Sequence, residues 1–292
     1  MIRRKAQNAV KDWIDNGKDA FLITGARQIG KTYLIRQCLK ESGIPYIELN
    51  FIEQPELVEL FQGAKDVKEI LMRLSLVVKE PLKKGKTILF LDEIQEFKDI
   101  VTRIKFLVEE GSFRYIMSGS LLGVELNDLR SAPVGYMRIY DMYPLDFKEF
   151  AQAAGVHDGT FEQLYTHFKE RTPVDEFVHA KMLDVFYLYL IIGGMPEAVS
   201  TYIETNDLAQ VAQVHNKIIR LYKKDFSKYE HRYKLKLQEI YDAMPGQLDQ
   251  KNKRFQLNSL GKGISYDRVA NDFLWLKDAG VAIPVYNISE PK

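Results

Sequence analysis

The chain has 292 residues, 46% of them apolar and 28% charged, with a formal net charge of +1. This balance excludes a disordered or fibrous chain and a chain-wide polyanion-binding surface, and it allows one large or two ordinary domains. The single cysteine, Cys38, excludes an internal disulfide and fits a reducing compartment. Met1-Ile-Arg-Arg-Lys5 begins basic, but the residues after it form no signal-peptide apolar core. No uncharged run approaches the ~20 residues of a membrane span. The expected location is the cytoplasm, with no membrane partner.

Residues 1–18 read as an amphipathic helix, with Ile2, Ala6, Val10, Trp13 and Ile14 at helical spacing and Asn16-Gly17 closing it. Next comes an apolar run, Ala20-Phe-Leu-Ile-Thr24, which breaks into Gly25-Ala26-Arg27-Gln28-Ile29-Gly30-Lys31-Thr32 and enters a second helix at Tyr33. The loop fits G-x-x-x-x-G-K-[ST] and lies between a predicted strand and a predicted helix, where a phosphate cradle requires it. Gly25 and Gly30 let the chain turn tightly, so that successive N–H groups from Gly25 to Tyr33 face a bound phosphate. Lys31 then reaches the β- and γ-phosphates, Thr32 offers its hydroxyl to Mg²⁺, and the helix dipole adds favourable potential.

Ile44 to Phe51 reads as a second strand, and Pro55 to Val78 as a helix with a broad apolar face that belongs to the core. After Lys83-Lys-Gly-Lys86, the run Thr87-Ile-Leu-Phe-Leu91 leads into Asp92-Glu93. Apolar residues in succession before two acids describe a strand buried on both faces whose acidic tip emerges at its carboxyl end, where an α/β sheet receives its ligand. Asp92 is the candidate holder of Mg²⁺. Glu93, one residue further out, is the candidate base for a water that attacks the γ-phosphate.

Ile100 to Glu109 is a further expected helix, and Phe113 to Met117 a strand that ends in Ser118-Gly119-Ser120. Ser118 is the candidate γ-phosphate sensor, with Ser120 as the alternative; serine in an ordinary turn remains equally compatible with the sequence. Met137 to Met142 reads as a fifth strand, and Pro144 to Phe150 as the start of a helix. Strands that alternate with helices without long gaps imply an α/β fold, a parallel three-layer sheet.

From Ala151 the texture changes. Gly155 to Gly159 reads as a loop, and from Phe161 onward the pattern is chiefly helical, so the expected divisions are residues 1–155, 156–250 and 251–292. Gly193-Gly194 followed by Pro196 ends one helix and starts another. It is either a lid motif whose proline packs on the adenine or a plain helix corner. Residues 217–262 hold twelve Lys and Arg against five Asp and Glu, the local basic signature that the totals conceal. Residues 255–286 fit a winged helix, with Ser265 as N-cap of a helix from Tyr266 to Lys277, Gly280 beyond its end and a strand over Val281–Tyr286. Only Arg268 and Lys277 are basic on that helix, opposed by Asp267, Asp272 and Asp278, which favours a protein client over DNA.

With these pieces assembled, the chain resembles the prokaryotic AAA-type ATPases that carry a C-terminal nuclease-like domain of unknown function. The words that carry the resemblance are Thr24–Thr32, Phe90-Leu-Asp-Glu-Ile-Gln95, Ser118-Gly-Ser120, Tyr143-Pro-Leu-Asp-Phe-Lys-Glu-Phe150, Gly193-Gly-Met-Pro-Glu-Ala198 and Trp275-Leu-Lys-Asp-Ala-Gly280. The resemblance implies a P-loop sheet in the order 5-1-4-3-2, a helical lid and a winged helix, with ATP and Mg²⁺ as cofactors and an oligomer as a possible state. The family usually continues well past Lys292, so the nuclease-like domain is expected to be missing here. Many members also place Arg or Lys after the glycine that precedes the fifth strand. This chain has Gly135-Tyr136, which leaves Arg130 and Arg138 as candidates for an arginine finger. The function so implied is a Mg²⁺-dependent ATPase that acts as a switch; the alternative is an ATP-regulated DNA-binding module that uses the basic 217–262 region, Lys251, Lys253 and Arg254 among it.

Overall fold

The computed structural model describes residues 2–78, 81–120, 135–226, 231–261 and 263–285. The chain divides into two units, Met1–Val211 and Ala212–Lys292. In the first, five parallel strands form one sheet: β1 (Ala20–Thr24), β2 (Tyr46–Asn50), β3 (Ile88–Asp92), β4 (Arg114–Ser118) and β5 (Met137–Asp141). Their spatial order is β2-β3-β4-β1-β5, the expected order 5-1-4-3-2 seen from the other edge. β1 and β3 are buried at every position, whereas β5 at the edge is largely exposed.

The alternation along each strand sorts the apolar side chains onto the two faces. Leu22, Leu89, Leu91, Tyr115 and Met117 join a core made with α3 (Glu56–Gln62), α4 (Val67–Val77) and α5 (Asp99–Glu110). Phe21 points the other way and stacks on Trp13 of α1 (Ala6–Asn16), with ring centroids 6.0 Å apart. Each fully buried Leu, Ile or Phe of this kind contributes about 1.5–3 kcal/mol. Helices on both faces force the strands' carboxyl ends to be the open side. There the loop 25–30 leads from β1 into α2 (Lys31–Ser42), and the acids follow β3.

The predicted helix over 55–78 is two helices. Gly63 ends α3, whose last carbonyls, Leu60 O and Gly63 O, accept from the Arg73 guanidinium at 3.2 and 2.8 Å. Asp66 then caps α4 by accepting from Glu69 N at 2.9 Å. An N-cap aspartate inside a continuous apolar periodicity is the signal that the periodicity concealed. The expected loop over 155–159 is also shorter, because the next helix starts at Asp158.

The rest of the first unit is helical: α6 (Phe147–Ala153), α7 (Asp158–Glu170), α8 (Glu176–Ile192) and α9 (Pro196–Thr205). α6 opens with a capping box formed by Asp146 and Glu149. α10 (Leu208–Phe226) contains the division between the units. The second unit continues with α11 (His231–Asp249), two short 3₁₀ turns and α12 (Ala270–Asp278). Here the structure differs from the winged-helix expectation. Ser265 makes no side-chain cap, the expected helix splits into Tyr266–Arg268 and α12, and residues 281–285 form no strand. Pro284 explains the last difference, since it has no N–H to give to a ladder. Tyr286 and Arg130 lie outside the described residues. Gly280 does follow the helix with φ +70°. Among the described residues no helix is long and apolar enough to cross a membrane.

Candidate functional site

Three carboxyl-terminal strand tips and one helix start meet at Asp92. Its carboxylate is 1% exposed and accepts the Thr32 hydroxyl at 3.0 and 3.2 Å, one distance to each oxygen. The Ser118 hydroxyl from β4 donates to Asp92 Oδ1, and the Asn50 amide from β2 donates to Oδ2 at 3.0 Å. Burial pushes the Asp92 carboxyl above the usual carboxylate range, while the Ser118 hydrogen bond opposes the shift. Thr32, Asp92 and Ser118 were each legible in the sequence. Asn50 was not, although a strand-terminal asparagine whose Oδ1 also accepts from Ile52 N and Glu53 N is a recognisable side-chain turn.

The loop between β1 and α2 has the backbone geometry its glycines were expected to permit. Gly25 lies at φ +134°, and a Cβ there would stand 2.1 Å from Met142 O; Gly30 lies at φ +90°. Gln28 also takes a positive φ, +63°. Ile29 is fully buried, and its Cδ1 would be 2.7 Å from a Gly25 Cβ, so the loop folds over its own apolar plug. Lys31 turns back into this loop, where Nζ donates to Gly25 O at 3.0 Å and Ala26 O at 2.8 Å. Burial lowers its pKa from the ordinary 10.5 to about 8, against the opposing pull of Glu93 and Asp92. Arg27 reaches towards β4, with Nε 3.4 Å from Ser120 Oγ.

Glu93 follows Asp92 in the left-handed region, φ +58°, a conformation uncommon for a side-chain-bearing residue. Its carboxylate accepts from the Gln95 amide, whose own Oε1 accepts from Ser120 N at 3.1 Å. Gln95 therefore bridges the tips of β3 and β4, a role that no spacing in the sequence signalled. Arg138, in contrast, projects from the edge strand to Asp12 at 3.6 Å and Asp19 at 3.4 Å, ion pairs within the same unit. Cys38 is buried and its thiol pushed up to about 11 by that burial, as a packing residue requires.

Beside the loop opens a cleft of about 530 Å³, walled by Ile2 and Gln7, by Gln28, Ile29 and Gly30, by Tyr33, Leu34 and Gln37 of α2, and by Pro196, Ser200 and Ile203 of α9. Pro196 Cγ would lie 4.0 Å from a Cβ on Gly30. The approach of α9 is fixed through the turn after β5: Leu145 N donates to Gly194 O at 2.7 Å, and the Tyr189 hydroxyl donates to Leu145 O at 2.9 Å. Gly194 is required there, because a Cβ would fall 2.1 Å from Leu145 O. Gly193-Gly194-Met195-Pro196 thus brings Pro196 to the loop.

A parallel sheet in the order β2-β3-β4-β1-β5, with this loop after β1 and an acid at the tip of β3, defines a P-loop NTPase fold. Residues 17–151 match the family model described as an AAA domain, a likeness that agrees with this fold. Residues 183–292 match a domain of unknown function (DUF8612). The nuclease-like domain that accompanies the resemblance finds no support in these matches. Curated proteins give no match. Among solved structures, the Walker-type ATPase PABY2304 of Pyrococcus abyssi is similar over 96% of this chain and 90% of its own, with 16% identity and a TM-score of 0.57, a likeness of fold. AMPPCP-bound DnaA from Aquifex aeolicus aligns over 95% of this chain and 90% of its own, at 12% identity and a TM-score of 0.43.

Proposed function

We propose that the chain binds ATP with Mg²⁺ and hydrolyses it as a switch, the nucleotide state setting the arrangement of the helical lid on the sheet. The observation that carries this reading is the Thr32–Asp92 hydrogen bond, which joins the start of α2 to the tip of β3. Backbone N–H groups from Gly25 to Thr32 cradle the phosphates, and Lys31 transfers its donors from the Gly25 and Ala26 carbonyls to the β- and γ-oxygens. The adenine side enters the cleft between Tyr33 and Pro196.

The residues present fit a hydrated Mg²⁺, which needs one or two oxygen ligands from the protein plus phosphate oxygens. Thr32 and Asp92 supply them, and among the described residues no cluster of three or more His, Cys, Asp or Glu forms a metal cage of protein alone. Held by Thr32 and Asp92, the ion would offset the negative charge that develops on the phosphates. Glu93 takes the proton of the attacking water once its carboxylate leaves Gln95, and Ser118, anchored on Asp92, orients the γ-phosphate side. The test is calorimetric titration with ATP and ADP together with a phosphate-release assay. Nucleotide binding that is lost in Lys31→Ala, and hydrolysis that depends on Mg²⁺, supports the reading; no binding by the wild-type chain ends it.

A second reading concerns a client at the second unit. Lys251, Lys253 and Arg254 are all exposed just beyond α11, in reach of a polyanion. Duplex DNA binding that weakens with salt and with neutralisation of these three supports a nucleotide-regulated DNA module. Its absence at low salt leaves a protein client.

A further inference from the structure

We propose that Arg4 is a positioning residue of the phosphate loop: it sets the orientation of the Ile29–Gly30 peptide and ties that peptide to the turn that holds Gly194. This rests on the nucleotide-binding reading above and adds to it a residue well outside the G-x-x-x-x-G-K-[ST] motif.

Arg4 is 8% exposed and divides its guanidinium among three elements. Nη1 donates to Ile29 O at 2.9 Å, Nη2 to Tyr143 O at 2.6 Å, and Nε to Glu149 Oε1 at 3.3 Å. Glu149 is fixed for this from two further sides, accepting from Lys5 N at 2.6 Å and Asp146 N at 3.1 Å. In a trans peptide the C=O and the following N–H point in opposite directions. A guanidinium that captures the Ile29 carbonyl therefore turns the Gly30 N–H to the opposite side of the peptide.

This peptide needs a restraint because its second residue offers little steric resistance to rotation. Gly30 sits at φ +90°, and a Cβ on it would meet nothing closer than Pro196 Cγ at 4.0 Å. The other end of the loop is wedged, with Gly25 against Met142 O and the Ile29 side chain. Rotation of the 29–30 peptide is thus the soft coordinate of the loop, and Arg4 restrains it. The same guanidinium holds Tyr143 O, two residues before Leu145, whose N–H donates to Gly194 O and whose carbonyl accepts from the Tyr189 hydroxyl. One side chain thereby couples the phosphate loop to the lid's attachment point. Lysine cannot do this, since three separate acceptors, each met by a different guanidinium nitrogen, match a fork and not a point charge.

The experiment compares ADP affinity and melting temperature in the wild-type chain, Arg4→Lys and Glu149→Gln. Both variants disturb the buried pair and lower the melting temperature, but only the first releases the Ile29 carbonyl. The expected result is an ADP Kd raised about tenfold in Arg4→Lys, the size of a lost charge-assisted hydrogen bond, and less than about twofold in Glu149→Gln. In Arg4→Ala, added guanidinium ion restores ADP binding, because Arg4, Ile29 and Gly30 all line the open cleft. Equal ADP affinity in wild type and Arg4→Lys overturns the inference and leaves the nucleotide reading intact. No ADP binding by wild type overturns both. Should the variants not fold, the wild-type chain decides by nitrogen-15 NMR. Distinct, slowly exchanging Arg4 Nη resonances that shift on ADP addition support the inference; a single averaged resonance that ADP leaves unmoved overturns it.

Discussion

The Asn50 amide donates to Asp92 Oδ2 at 3.0 Å, and the two residues are also register partners at the ends of neighbouring strands β2 and β3. Asn50 Oδ1 is committed to Ile52 N and Glu53 N, so the side chain cannot turn around without losing both bonds. The amide group is therefore the part that makes a buried Asp92 tolerable.

Asn50→Asp isolates that contribution, because a carboxylate keeps the bonds to Ile52 and Glu53 and changes only the group facing Asp92. Two carboxylates in one buried site hold a proton more tightly than they do in the unfolded chain. A folded-state pKa raised in this way gives stability that is present at low pH and lost as pH rises through that value. The expected outcome is a melting temperature close to wild type near pH 5 and a deficit at pH 8 of about 1–3 kcal/mol. A pH series of thermal melts measures it, and a deficit that does not grow with pH contradicts it.

Lys31 has the opposite sign. Its folded pKa, lowered by burial to about 8 from 10.5, makes the unfolded chain bind more protons between those two values, so its contribution to stability rises with pH across that window. Phosphate binding needs the ammonium, and its affinity falls over the same range. In nucleotide-free protein, wild type is expected to gain in melting temperature relative to Lys31→Met from pH 8 to pH 10, while ADP affinity of the wild type falls above pH 8. Calorimetry across that range tests both, and an ADP affinity that is flat with pH removes the assigned cation.

Much of this site was legible because its parts are local in sequence. A strand, two glycines, a lysine and a threonine in the thirteen consecutive residues 20–32 specify their own geometry, and a run of buried positions ending at Asp92 specifies which end of the sheet they occupy. Asn50, Gln95 and Arg4 escaped because each acts through a partner distant in sequence: Asn50 lies 42 positions from Asp92, and Arg4 lies 25 from Ile29. Pairing of this kind is set by strand order and has no period. The second unit was harder to read for a related reason, since an apolar run such as Val281–Tyr286 fits a strand only where a neighbouring edge receives it.

In the proposed mechanism, Glu93 is where binding and chemistry separate. Glu93→Gln removes a proton acceptor without removing a phosphate ligand. It is expected to keep ATP affinity within about twofold while phosphate release falls by about 10²–10⁴, the usual worth of a general base. Single-turnover assays at saturating ATP read this directly. Hydrolysis at the wild-type rate in Glu93→Gln rules this residue out as the base.

Gly193 and Gly194 differ in why they are glycine, and the difference predicts two unequal substitutions. Gly193 lies at φ +72° and ψ −168°, a conformation almost reserved for glycine, with nothing within 4 Å of an added Cβ, so Gly193→Ala costs only backbone strain, about 1–3 kcal/mol. Gly194 has an ordinary φ, but its Cβ would stand 2.1 Å from Leu145 O and 2.9 Å from Leu145 N, backbone atoms that cannot rotate away. Gly194→Ala therefore breaks the Leu145–Gly194 hydrogen bond and displaces the start of α9, carrying Pro196 away from Gly30. Gly194→Ala is expected to weaken ADP binding by about tenfold or more, as loss of a preorganised wall does, while Gly193→Ala weakens it less than about threefold at a comparable melting temperature. Titrations of the two variants side by side decide the matter. Equal ADP affinities mean that Pro196 contributes nothing to the nucleotide and that the Gly-Gly-Met-Pro turn is only a corner between helices.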